Sequence, residues 1–215
     1  MRAALESLLR ARKLDVTLTT FDAPLPPERL AATGDEALDR ALGGGLRRGH
    51  LSEITGAASS GRTTLVARLL AAATARGDAT ALVDACDTWD PASAAAHGVA
   101  LERVLWVRDQ SDAVRALKAF SLVLQAGGFG LVVFDLADVA PIAIRRFPPT
   151  TWMRAARLVE GSDTVALLVG AERIARSAGG VTVALESSPA RWRGAAARAR
   201  LFDGVAPAPR VIRAR

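Results

Sequence analysis

Residues Gly56-Ala57-Ala58-Ser59-Ser60-Gly61-Arg62-Thr63-Thr64 follow the phosphate-binding pattern G-x-x-x-x-G-K-[ST] with one exchange: arginine stands where the pattern has lysine. A glycine-rich turn ahead of a helix presents successive backbone N–H groups to phosphate oxygens. The helix N-terminus adds partial positive charge, and the Thr63 hydroxyl is placed to hold Mg²⁺. Lysine suits such a site because its ammonium reaches the terminal phosphates as a compact point charge. A guanidinium keeps the charge but is planar, bulkier and fixed in its donor directions. Gly56, Ser59, Ser60, Gly61, Arg62, Thr63 and Thr64 therefore read as a nucleotide cradle whose central cation has been altered.

Two further groups complete such a site. An acid at the end of a second apolar strand orients the metal through water. Asp135, closing Leu131-Val132-Val133-Phe134, sits where that acid belongs; the plainer reading is a strand-end turn residue. Hydrolysis also needs a carboxylate to position the attacking water. Its place is the end of the strand after the P-loop helix, in Leu82-Val83-Asp84-Ala85-Cys86-Asp87-Thr88-Trp89-Asp90-Pro91. No residue set is predicted to hold a metal by itself.

The elements that must position these groups alternate. Strands are predicted at 51–55, 79–84, 104–107, 131–135, 165–169 and 181–186, and helices at 34–42, 63–75, 91–97, 111–125 and 151–160. Short apolar strands separated by helices predict an α/β fold, a mostly parallel sheet with helices on both faces. Ahead of it, residues 1–14 read as a helix with Leu5, Leu8 and Leu9 on one face, and 16–21 as a short strand. Pro24, Pro26 and Pro27 make a linker. The expected organisation is an arm and linker (1–32), a core (33–188) and a basic, partly disordered tail (189–215).

With 215 residues, the chain suffices for one packed domain. No apolar run approaches the ~20 residues of a membrane span, and the first residues lack a hydrophobic signal core. The lone Cys86 excludes an internal disulfide and fits a reducing, cytoplasmic setting. Net charge is +6 and the pI about 11.0, which points toward nucleic acid; arginine-rich GC-biased coding is the competing explanation. That bias accounts less well for the end of the chain, where Arg191, Arg193, Arg198, Arg200, Arg210, Arg213 and Arg215 face one acid, Asp203.

From Thr33 to Pro141 the chain resembles the ATPase core of the RecA recombinase family. The resemblance runs through T-G-D-E-A-L-D-R-A-L-G-G-G-L-R-R-G, S-E-I-T-G-A-A-S-S-G-R-T-T, L-V-D-A-C-D-T-W-D-P, H-G-V-A-L-E-R-V-L-W-V and V-V-F-D-L-A-D-V-A. It implies a RecA-like P-loop core with an N-terminal helix-strand arm. It also implies a catalytic glutamate at the position of Cys86, where a thiol with an ordinary pKa near 8.5 is not the same water-orienting anion at neutral pH. With Arg62 and Cys86 both departing, the expectation is a degenerate site: no catalytic residues, and no nucleotide or Mg²⁺ required. Asp84 or Asp87 serving as base would make the chain a working DNA-dependent ATPase instead.

The same resemblance implies two DNA-facing loops. The first falls on Ile144–Trp152, the second on Ala171–Gly180, which makes Arg145, Arg146, Trp152, Arg173 and Arg176 candidate contacts with Phe147 and Trp152 as stacking platforms. The other reading has solvated arginines and a tryptophan capping the core. A RecA-like core with an altered P-loop, short loops and a basic tail is also similar to the mutasome accessory family typified by ImuA, to which the cell-division inhibitor SulA is related. That likeness implies an adaptor in SOS-induced translesion synthesis. Its partners would be RecA and ImuB, and through ImuB the error-prone polymerase and sliding clamp, with weak binding of single-stranded DNA. Leu5, Leu8, Leu9, Arg191, Trp192, Arg193, Phe202 and Arg213 are the candidate partner contacts. The arm either docks on a RecA-type surface or folds back on its own core.

Overall fold

The computed structural model describes residues 26–110, 112–175, 180–186, 190–194, 199–205 and 208–213. The predicted arm, with Leu5, Leu8 and Leu9, lies outside them, as does Arg176. The proline linker closes in a 3-10 turn at Pro27–Arg29. β1 (Leu30–Ala31) and β2 (Leu46–Arg47) pair antiparallel around α1 (Glu36–Leu42). β3 (His50–Gly56) runs into α2 (Arg62–Ala75), followed by β4 (Thr80–Asp84), α3 (Pro91–Ala96) and β5 (Val104–Arg108). Then come α4 (Ala113–Ala126), β6 (Leu131–Asp135), α5 (Pro141–Arg145), α6 (Pro149–Val159), β7 (Val165–Gly170) and β8 (Val181–Glu186). β9 (Ala190–Arg193), β10 (Leu201–Val205) and β11 (Ala208–Arg213) close the chain's order.

Seven strands form one sheet in the order β11-β8-β3-β7-β6-β4-β5, parallel throughout except for β11. The alternation within each strand sorts its side chains onto two faces. Leu82, Val133 and Leu167 meet Leu65, Leu69 and Leu70 of α2 on one face. Val83, Phe134 and Leu168 meet Phe120 of α4 and Trp152 of α6 on the other. Because both faces are covered, the strands read as continuous apolar runs, as the sequence predicted.

Two expectations change. Residues 208–213, placed by sequence in a partly disordered tail, form the sheet's edge strand, pairing Ala208–Arg213 against Glu186–Val181. Backbone pairing with β8 orders a segment too short of apolar side chains to build a core of its own. β9 and β10 form a separate antiparallel pair. The loop expected at 144–152 is mostly helical: Pro141 and Pro149 each occupy a first helical turn, where a missing N–H costs nothing.

Candidate functional site

Parallel strands bring their C-terminal ends to one edge of the sheet, the place where open α/β sheets hold ligands. Register sets the neighbours there: Thr55 lies beside Gly170, Val169 beside Asp135, and Asp135 beside Asp84. The P-loop turns out of β3 at this edge. Gly56 has no substitute, since a Cβ there would stand 2.4 Å from Ser60 Oγ and 2.9 Å from the Leu185 carbonyl. Ser59 (φ 62°) and Gly61 (φ 92°) adopt left-handed conformations that wrap the loop before α2 begins. Ser60 is fully buried and its hydroxyl has no hydrogen-bond partner. Such an orphan beside a helix N-terminus fits an anion's oxygen, so the cradle fits phosphate.

The cationic half of the site does not follow the pattern. Arg62 is only 8% exposed. Its guanidinium reaches the segment after β6, with Nη1 3.5 Å from the Ala137 carbonyl and Nη2 4.0 Å from Asp138. Asp135 accepts a 2.9 Å hydrogen bond from the Ala137 N–H. Burial, reinforced by the neighbouring Asp84 and Asp138, pushes the Asp135 carboxyl up to about 6, against the Ala137 hydrogen bond and the Arg62 charge.

Both carboxylates near Cys86 have partners of their own. Asp84 is buried and caps the following turn, accepting from Cys86 N at 3.2 Å and Trp89 N at 2.8 Å. Asp87, in a left-handed conformation (φ 56°), makes a two-pronged pair with Arg108 at 2.7 and 2.9 Å. That hydrogen-bonded pair holds the Asp87 carboxyl below its usual range. Arg108 also lies 4.5 Å over the Trp106 ring, which meets Trp89 edge-on. Cys86 is half-buried between these two acids. The backbone cradle for phosphate is kept, while the acids near Cys86 are engaged by their own turn and by Arg108. Among the described residues no cluster of His, Cys, Asp and Glu suits a metal ion.

Of the candidate DNA contacts, Arg145, Trp152 and Arg173 line one groove, but their side chains are already engaged. Trp152 is 7% exposed and packs edge-on against Phe147, with ring centroids 5.9 Å apart, so it caps the core rather than offering a face to a base. Arg145 pairs with Glu172 at 3.2 Å, Arg146 is exposed, and Arg173 pairs with buried Glu53 at 3.3 Å. Arg191 and Arg193 lie on β9 and Phe202 on β10, where Trp192 is exposed opposite Phe202; Arg213 ends β11. Glu53 escaped the sequence reading. Its carboxylate also accepts from Ile174 N (2.9 Å), Ala175 N (3.0 Å) and Thr182 Oγ1 (2.6 Å). Its signal was an acid set inside an apolar strand.

A family model described as RecA N-terminal domain matches residues 27–145, more than half of the chain. The chain belongs to the RecA family. It is 41% identical over 114 residues to Protein RecA of Chlorobium chlorochromatii, covering 52% of this chain and 32% of that protein. It is 35% identical over 148 residues to Protein RecA of Thermus thermophilus, covering 66% and 43%. The chain thus spans a third to under half of the length of these curated relatives. Among solved structures, the RadB recombinase superposes with a TM-score of 0.56 at 17% identity, covering 73% of this chain and 83% of that one, a likeness of fold. No helix among the described residues is long and apolar enough to cross a membrane.

Proposed function

We propose that this RecA-family chain is a non-catalytic adaptor of the ImuA kind. It acts in the cytoplasm in SOS-induced translesion DNA synthesis, binding RecA and ImuB and, through ImuB, the error-prone polymerase and sliding clamp. The observation that carries this reading is the split P-loop site. The phosphate cradle is kept, while Arg62 points to Ala137 and Asp138, and Asp84 and Asp87 are both occupied in holding their own turns. Phosphoryl transfer depends on positioning and electrostatics, so an altered cation and a missing water-orienting anion each reduce it by orders of magnitude. No nucleotide or Mg²⁺ is required in this reading. Direct contact with single-stranded DNA is weak in this reading, with Arg145, Arg146, Arg173 and Arg176 as its candidates.

Two measurements on the purified full-length protein test the reading. Phosphate release, with and without single-stranded DNA, is expected at the level of an Asp135→Ala control; robust turnover abolished by that substitution refutes it. Affinity capture is expected to retain RecA and ImuB at moderate salt. Capture of a cell-division protein in their place favours a second reading, an inhibitor of cell division like SulA.

A further inference from the structure

At the opposite end of β3 from the P-loop, about 17 Å from Gly56 at ~3.3 Å per residue, the sheet face carries an open groove of about 660 Å³. Leu51, Ile144, Phe147, Trp152, Met153 and Ile174 supply its apolar lining. Its walls are built in advance. On one side Glu53 holds the backbone of Ile174 and Ala175 and the Arg173 side chain, so the segment after β7 is pinned to the sheet. On the other, the edge-on contact of Phe147 with Trp152 locks the start of α6. A preformed wall of this sort spares a ligand the cost of ordering its site.

The groove's polar surround is cationic. Residues 141–159 carry four arginines (Arg145, Arg146, Arg154 and Arg157) and no acid; Arg145, Arg157 and Arg173 stand on the groove itself, Arg145 paired with Glu172 and Arg173 with Glu53. Arg157 has no ion pair among the described residues. Glu160, past the end of α6, is the acid of the rim. Met153 is 56% exposed although it faces this apolar lining. Nucleic acid suits the charge but not the floor, since the Trp152 ring is buried and Phe147 is half-buried edge-on against it.

We infer that this groove docks a short helical segment of a partner protein, with large apolar anchors at i, i+3 or i+4 and i+7 and acidic residues beside them. The anchors lie against Leu51, Met153 and Ile174, and the acids meet Arg157. This docking is independent of whether the P-loop turns over nucleotide. It therefore stands or falls separately from the adaptor reading.

The test is a selection of random 16-residue displayed peptides on the full-length protein, followed by affinity measurement of the enriched peptides by fluorescence polarisation. The expected result is enrichment of peptides with apolar residues at helical spacing flanked by Asp or Glu. Their affinity falls by about tenfold or more on Met153→Glu, which sets a charge among the anchors. It falls by about threefold on Arg157→Ala, with the same melting curve as the unsubstituted protein. Met153 and Arg157 are both exposed, and the Arg157 variant keeps the test open should Met153→Glu disturb folding. No enrichment, basic or anchor-free peptides, or equal binding to both variants overturns the inference. Displacement of the peptide by a 16-nucleotide oligothymidine would assign the groove to nucleic acid. Self-association lost on Met153→Glu would assign it to a second copy of the chain.

Discussion

Asp135→Asn should stabilise the ligand-free protein above pH 6. Burial raises the Asp135 carboxyl from 3.8 to about 6. At 1.36 kcal/mol per tenfold change in proton affinity, holding the group ionised in the fold at pH 8 costs about 3 kcal/mol relative to the unfolded chain. An acid whose folded pKa lies above its unfolded one contributes full stability below the unfolded value, here about 4. That contribution is lost as pH rises through about 6. Asparagine keeps a carbonyl oxygen for the Ala137 N–H, which the carboxylate now accepts at 2.9 Å, and removes the charge facing Asp84 and Asp138. The expected gain at pH 8 is about 2–3 kcal/mol, a melting temperature higher by about 4–10 °C for a chain of this size. Urea titrations of both proteins from pH 4 to pH 8, without nucleotide or divalent metal, read it directly. The two stability curves should meet near pH 4 and separate through pH 6. A constant offset across that range, or a variant less stable at pH 8, refutes the electrostatic account.

Three other substitutions probe the remaining links. Arg62→Lys alone should leave phosphate release at background, whereas Arg62→Lys with Cys86→Glu should raise it measurably, because the two losses are separate; turnover from the single variant would show that Cys86 is not limiting. Glu53→Ala strands Thr182 Oγ1 and the Ile174 and Ala175 N–H groups, and should cost about 3–5 kcal/mol in urea titration; a loss below about 1 kcal/mol would mean that water replaces the carboxylate. Truncation after residue 206 removes β11 and uncovers the edge of β8, so a lower melting temperature and concentration-dependent aggregation by light scattering are expected; an unchanged melt would show that β11 is not part of the stable sheet.

The amino-acid sequence by itself determined the parts whose signals are local. Gly56, Gly61 and Thr63 mark the cradle because its backbone path demands those residue types at that spacing. The apolar runs ending in Asp84 and Asp135 mark strands buried on both faces. Their alternation with helices dictates a parallel sheet whose C-terminal ends share one edge. What those groups do there was decided across the sheet. Arg62 keeps a charge in the P-loop sequence, yet its direction depends on the carbonyl and carboxylate that β6 delivers beside it, residues 75 and 76 positions further along the chain. Asp84 and Asp87 look like spare bases until the turn after β4 and Arg108 of β5 claim them. Trp152 reads equally as a stacking platform or a core residue until α6 packs on the sheet, and β11 has no strand signal strong enough to stand without β8 beside it. Local pattern encodes backbone path and burial period. The partner that satisfies a charge or completes a sheet comes from a distant segment and exists only once the chain has folded.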